Sequence, residues 1–164
     1  MVASRSASPQ HLRVAVAEEW WSMAAMLTPT VRSVMTPAPE VIAAQANTSS
    51  ALERMQSLGV RHLPVMDRDR LVGVLSERDL RGVRAFLDYA PGELGPTVGE
   101  LCSRDLLVVG PDDPLDEAAT AMADRRVGSA LVVDGTELVG IMTCVDLCKG
   151  LTDLVTRLRA TAKT

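Results

Sequence analysis

Leu71-Val72-Gly73-Val74-Leu75-Ser76-Glu77-Arg78-Asp79-Leu80 reads as an apolar strand that breaks at a serine into a helix. Leu138-Val139-Gly140-Ile141-Met142-Thr143-Cys144-Val145-Asp146-Leu147 lies 67 residues further on and reads the same way. The alignment needs no gap. The same offset superimposes Val31 on Val98, Val41 on Val108, Ala51 on Ala118, Met55 on Met122, Val60 on Val127, Val65 on Val132 and Asp67 on Asp134. Repetition on this scale predicts a duplicated unit, a pseudo-twofold arrangement and paired clefts.

Working outward, the first unit opens with a helical turn over Val31 to Met35, stopped by Thr36-Pro37, and a strand at Glu40 to Ala43. Asn47 or Thr48 caps a helix whose Ala51, Leu52, Met55 and Leu58 share one face, and Gly59 suits its C-terminal end. Strands over Leu63 to Met66 and Leu71 to Leu75 flank the polar turn from Asp67 to Arg70, and Ser76 caps a closing helix to about Leu87. The second unit repeats the order. It has a turn over Val98 to Cys102, a strand over Leu106 to Val109 and a helix opened by Asp113-Pro114. A hairpin of Ser129 to Val133 and Glu137 to Met142 turns at Asp134-Gly135, and a last helix runs from about Cys144 towards Arg159.

Five segments result: tail and helix 1–28, first repeat 29–88, linker 89–97, second repeat 98–155 and tail 156–164. Pro91, Gly92, Gly95 and Pro96 mark the linker. Ser8-Pro9 begins the N-terminal helix, and Leu12, Val16, Trp20, Met23 and Leu27 recur on one side of it. Both tryptophans, Trp20 and Trp21, sit there, so this face needs the main body or a second subunit to cover it.

At 164 residues and 47% apolar content the chain is globular, with aromatics at only 2%, so Val, Leu, Ile, Ala and Met must build the core. A net charge of −4 argues against nucleic acid as a partner. The three cysteines, Cys102, Cys144 and Cys148, with His11 and His62, offer neither a disulfide framework nor a metal-ligand set. There is no signal-peptide pattern and no apolar run long enough to span a membrane, so the expectation is a cytoplasmic protein.

No nucleophile–base pair, P-loop or dinucleotide fingerprint emerges, and the chain is read as a non-enzyme. The chemistry concentrates instead in Ser76-x-x-Asp79 and Thr143-x-x-Asp146, each placed where a strand gives way to a helix. A helix N-terminus offers free N–H groups and partial positive charge to an anion, and a carboxylate there can accept ribose hydroxyls. The same spacing is also a capping box that serves only the helix. Repetition in register favours the ligand reading.

Met35-Thr36-Pro37, Val60-Arg61-His62-Leu63-Pro64-Val65-Met66-Asp67 and Gly73-x-x-Ser76-x-x-Asp79 together resemble a CBS motif, named for the cystathionine β-synthase domain. Arg126-Val127-Gly128-Ser129-Ala130-Leu131-Val132-Val133-Asp134 with Gly140-x-x-Thr143-x-x-Asp146 resembles a second. The resemblance covers about Thr30 to Leu154 and implies an α/β (α+β) fold, with two β-α-β-β-α repeats packed as a pseudo-twofold pair behind the N-terminal helix. It implies clefts for an adenosine-containing ligand such as AMP, ADP, ATP, NAD or S-adenosylmethionine, with no catalytic cofactor. By the same resemblance Asp79 and Asp146 hold ribose hydroxyls beside Ser76 and Thr143, and Thr36 and Ser103 lie near phosphates. Arg61, His62, Leu63 and Pro64, and Gly128, Ser129, Ala130 and Leu131, line the base pockets, largely through backbone groups. For Leu63, Val65, Ala130 and Val132 the alternative is plain strand core.

The expected protein is a stand-alone regulatory module, a homodimer that signals nucleotide binding to a partner enzyme or transporter. The competing reading is a protein-interaction or dimerisation module with vestigial clefts. The repeats also differ. Arg61 and His62 face Gly128 and Ser129 in the alignment, and Arg78, Arg81 and Arg84 face Val145, Cys148 and Leu151. Met35-Thr36-Pro37 becomes Cys102-Ser103-Arg104. The cleft holding Asp79, with Arg78 beside it, is therefore expected to be the more positive and to suit a polyphosphate.

Overall fold

The computed structural model describes residues 29–89 and 95–161. The N-terminal helix expected from Ser8 to Leu27, Trp20 and Trp21 included, lies outside the described residues, as do Pro91 and Gly92 of the linker and the side chain of Arg84.

Each repeat folds around an antiparallel hairpin. In the first, β3 (His62–Asp67) pairs with β4 (Arg70–Ser76), and β2 (Ile42–Ala43) lies parallel to β3. In the second, β6 (Ser129–Asp134) pairs with β7 (Glu137–Thr143), and β5 (Val108–Val109) lies parallel to β6. Both hairpins shift register at the matching place, between Val65 and Met66 and between Val132 and Val133. The first strands of both repeats are shorter than the apolar runs suggested, two residues each.

Helix α1 (Thr48–Leu58) buries Ala51 and Met55. The Asn47 side chain accepts a hydrogen bond from Ser50 N at 2.7 Å, so Asn47 rather than Thr48 is the cap. Gly59 ends α1 in a left-handed conformation, φ +66°, which favours glycine. Helix α2 (Glu77–Tyr89) closes the first repeat, and a short α3 (Val98–Leu101), boxed by Thr97 and Glu100, opens the second. Helix α4 (Leu115–Asp124) carries Asp116 and Glu117 in its first turn, where the helix dipole favours acids. Helix α5 (Cys144–Thr161) ends the described chain.

The opening segments are exchanged between repeats. β1 (Thr36–Pro37) belongs to the first repeat by sequence but pairs with β7, Thr36 against Ile141 and Pro37 against Gly140. Ser103, the residue matching Thr36, pairs with Val74 on β4. Val31 N donates to Asp113 O and Val98 N to Ala46 O, a second matched pair of crossings at 3.0 and 2.9 Å.

The cores follow the exchange. One contains Ile42, Ala51, Met55, Leu63, Val65, Leu75 and Leu80, completed by Val98 and Cys102 of the second repeat. The other contains Leu107, Val109, Ala118, Met122, Ala130, Val132 and Met142, completed by Val31 of the first. Neither repeat closes its own core, so burial that drives one half to fold also ties it to the other.

Candidate functional site

The two corners share a pair of bonds to the aspartate, and the second adds a reciprocal one, Asp146 N donating to Thr143 Oγ1 at 3.4 Å. Asp79 Oδ2 accepts from Ser76 N at 2.8 Å and from Ser76 Oγ at 2.7 Å. Asp146 Oδ2 accepts from Thr143 N at 2.9 Å and from Thr143 Oγ1 at 2.6 Å. The capping role is therefore present in both repeats, and it uses a single carboxylate oxygen each time. Oδ1 of Asp79 and Oδ1 of Asp146 take no hydrogen bond among the described residues. A carboxylate with one oxygen fixed by its helix presents the other in a defined direction, at the positive end of that helix.

The strand entries are stitched to these corners. Glu77 N donates to Arg61 O at 2.9 Å, and Cys144 N donates to Gly128 O at 3.2 Å. His62 faces Ser76, and Ser129 faces Thr143, in the hairpin registers. Arg61 and Gly128 are exposed, His62 is half-buried and Ser129 is buried. A Cβ on Gly128 would stand 3.4 Å from His62 Nε2, so the imidazole of one repeat lies over the glycine of the other.

The remaining pocket candidates divide cleanly. Leu63, Pro64, Ala130 and Leu131 are buried, with Leu63 and Ala130 wholly in the cores, so only their backbone groups are available to a ligand. Leu131 N is already committed to Leu107 O at 2.9 Å. Thr36 and Ser103 are exposed, and the exchange carries each to the other repeat's hairpin. Ser103 thus joins the hairpin that leads into the Asp79 helix, and Thr36 the hairpin that leads into the Asp146 helix. The motif comparison missed this crossing. Gly73 and Gly140 were its signal, since an interior strand glycine marks a close approach. A Cβ on Gly73 would stand 2.4 Å from Cys102 Sγ, and one on Gly140 2.5 Å from Met35 Sδ.

Charge distinguishes the corners. Arg61 Nε lies 3.8 Å from Glu77 Oε2, a loose and exposed pair that holds the guanidinium weakly. Arg78 and Arg81 are exposed and form no ion pair among the described residues. Burial holds the His62 imidazole below its ordinary value of 6.5; Asp79 opposes that shift, while Arg61 and Arg78 add to it. The other corner has Val145 and Cys148 at the positions of Arg78 and Arg81, both exposed. A shallow open depression lined by Gln45 and the Asp67–Arg70 turn lies at the far end of the first hairpin and takes no part in this arrangement.

The CBS domain profile matches residues 31–85 and again residues 98–153. The CBS domain-containing protein YhcV of Bacillus subtilis is 30% identical over 118 residues, 71% of this chain and 81% of that protein. Other relatives are longer: the chain spans 40% of a 33.4 kDa protein of Thermofilum pendens and 21% of an inosine-5'-monophosphate dehydrogenase of Thermoplasma acidophilum. Among solved structures, AcuB from Vibrio cholerae superposes with a TM-score of 0.67 at 27% identity, covering 84% of this chain and 98% of that one. CBSX2, solved in complex with AMP, gives 0.62 at 28% identity, covering 76% and 97%. The CBS pair of MJ0100, solved with 5-methylthioadenosine and S-adenosyl-L-methionine, gives 0.66 at 22%, covering 77% and 98%, a likeness of fold.

Proposed function

The chain belongs to the CBS domain family as a tandem pair, and from that membership we propose that it is a regulatory module that binds an adenosine-containing ligand between its repeats and signals to a partner protein. The observation that carries the reading is the free Oδ1 on Asp79 and on Asp146, each carboxylate held at a helix N-terminus by hydrogen bonds to its other oxygen. The AMP complex of CBSX2 supports the ligand class. In this reading Asp79 and Asp146 accept ribose hydroxyls, Ser76 and Thr143 orient them, and Ser103 and Thr36 stand across the exchange as polar groups for the phosphate side. The base lies along the Arg61–Pro64 and Gly128–Leu131 backbones.

The cleft holding Asp79 takes the more highly phosphorylated ligand, because Arg61 and Arg78 bring positive charge that Gly128 and Val145 do not. Signalling follows from the exchange of β1 and Ser103: a ligand wedged between repeats favours one relative packing, and any difference in affinity between two packings shifts their populations.

The test is a thermal-shift panel of AMP, ADP, ATP, NAD and S-adenosylmethionine, with nucleotide extracted from the purified protein in parallel. Ligand at 100 times its Kd raises stability by about 2.7 kcal/mol, well within reach of the method. No shift across the panel, with no nucleotide extracted, overturns the reading. That result favours the second reading, a protein-interaction module with unused clefts, which the exposed Val145, Leu151, Leu154 and Leu158 of α5 support.

A further inference from the structure

Helix α5 opens with two thiols on one side. Cys144 is its first residue and Cys148 lies four residues on, so the two stand one above the other on the same face. Both are exposed and neither is in a disulfide. The third cysteine, Cys102, is buried in the other core, where its Sγ faces Gly73. Glu77 and Arg81 hold the matching positions in the first repeat, so the pair belongs to the second corner alone.

We propose that Cys144 and Cys148 form a two-thiolate site for a soft monovalent metal ion of the Cu(I) kind. Residues four apart on a helix hold their Cβ atoms about 5–6 Å apart. A metal–thiolate bond is about 2.3 Å, so a linear sulfur–metal–sulfur unit spans about 4.6 Å. Each sulfur stands one bond beyond its Cβ, and both side chains are open to solvent, so rotation about χ1 brings the pair to that span without moving backbone. The main chain is tied at both residues. Cys144 N donates to Gly128 O at 3.2 Å, and Cys148 O accepts from Thr152 Oγ1 at 2.9 Å.

Ligand number selects the ion. Structural zinc is held by four ligands, and among the described residues no group of three or more His, Cys, Asp or Glu side chains is placed to hold a metal. Asp146, between the cysteines in sequence, is buried and its Oδ2 is committed to Thr143. Thiolates are the ligands that soft ions prefer, and Cu(I) is satisfied by two of them in a line. Charge agrees. Binding exchanges two thiol protons for one monovalent ion and leaves one net negative charge on the unit, which the first turn of a helix favours. A divalent ion would leave none. The site does not depend on nucleotide binding in the clefts.

The test is an anaerobic titration of the full chain with Cu(I), competed against bicinchoninate, a colorimetric Cu(I) chelator. Wild type is expected to withhold one ion per chain and to gain an ultraviolet sulfur-to-copper absorption band, with two sulfur ligands by X-ray absorption at the copper edge. Cys144→Ser and Cys148→Ser each lower the affinity by roughly a hundredfold or more, the scale of losing a second tethered contact. Both residues are exposed, so urea unfolding of the copper-free variants should match wild type. Cys148→Ser with Lys149→Cys keeps two exposed thiols but turns them to different sides of the helix, and is expected to bind as weakly as the single variants. Copper removed from wild type as readily as from Cys148→Ser overturns the proposal. So does full affinity in the shifted pair, which would make any two exposed thiols sufficient. One ion per two chains in a copper-dependent dimer also overturns it, since the thiols would then serve an ion shared between copies.

Discussion

Val74 and Ser103 exchange two backbone hydrogen bonds, Val74 N to Ser103 O at 3.0 Å and Ser103 N to Val74 O at 2.9 Å. One residue lies on the hairpin of the first repeat and the other opens the second. The matching contact, Thr36 against Ile141, closes the reverse crossing. Together they make the pair one interlocked unit, in which the hairpin leading into each corner carboxylate pairs with a polar residue from the other repeat. A ligand that touches both would hold two repeats, not one.

That crossing sets the cost of adding a methyl group at the two strand glycines. At Gly73 a Cβ meets Cys102 Sγ at 2.4 Å, Cys102 Cβ at 3.0 Å and Ser103 O at 3.0 Å, a wall that includes backbone and a buried short side chain. At Gly140 the close contact is Met35 Sδ at 2.5 Å, the far part of a flexible chain, with Thr36 O at 3.3 Å. Gly73→Ala is expected to destabilise by about 1–3 kcal/mol, as overpacking does, and Gly140→Ala by less. Urea unfolding of the two variants measures the difference, and equal losses would show that Met35 is as confined as Cys102.

The hairpins and helices were legible in the sequence because their periods are local: Ala51 and Met55 mark a helical face, and Asp134-Gly135 marks a turn. The resemblance named the two repeats, and the domain-family match and the superposed structures bear this out. The exchange was not legible, since two-residue strands such as Thr36–Pro37 carry no period and their partners lie 105 and 103 residues away in Ile141 and Gly140. Ser-x-x-Asp was legible only as an ambiguity between cap and ligand site. One carboxylate oxygen of each aspartate caps its helix, and the other takes no hydrogen bond among the described residues. The approach of His62 to Gly128 depends on how the repeats pack, and no alignment of one repeat with the other contains it.

The two oxygens give a way to separate stability from binding. Asn at position 79 keeps a carbonyl to accept from Ser76 N but offers an amide, not a free acceptor, towards a ribose. Asp79→Asn is therefore expected to stay within about 1 kcal/mol of wild type, the scale of a cap, while binding at its cleft falls at least tenfold. Asp146→Asn does the same at the other cleft. Calorimetric titration with AMP and ATP checks both, and unchanged affinity in both variants would leave the carboxylates as caps only.

His62 should make stability fall on acidification. Its folded value lies below 6.5, chiefly through burial, so between the folded and unfolded values the unfolded chain binds more protons. The contribution is complete above about pH 6.5 and is lost as pH falls through the lower folded value. Asp79 works against the effect, and Arg61 and Arg78 with it. His62→Gln is expected to flatten that part of the profile. Urea unfolding from pH 7.5 down to pH 5 measures it, with the wild-type minus variant difference as the readout; a difference constant across that range would refute the assignment.

The charge difference between the corners predicts a transferable preference. Arg78 is the residue after Glu77 at the first corner, and its counterpart Val145 is 57% exposed, so a longer side chain there meets open solvent. Hydrogen bonds to charged groups contribute about 1.5–3 kcal/mol, so Arg78→Gln should weaken ATP binding about tenfold or more while changing adenosine little. In an Asp79→Asn background, which silences the first cleft, Val145→Arg should strengthen ATP binding at the second by a comparable factor. The gain should shrink as salt rises from low to physiological strength, because exposed charges are screened. Titrations of ATP and adenosine at two ionic strengths test each arm. An equal loss of adenosine and ATP in Arg78→Gln would mean that Arg78 shapes the cleft rather than reading phosphate, and the same number of charges would then have to be explained as a solvated helix face.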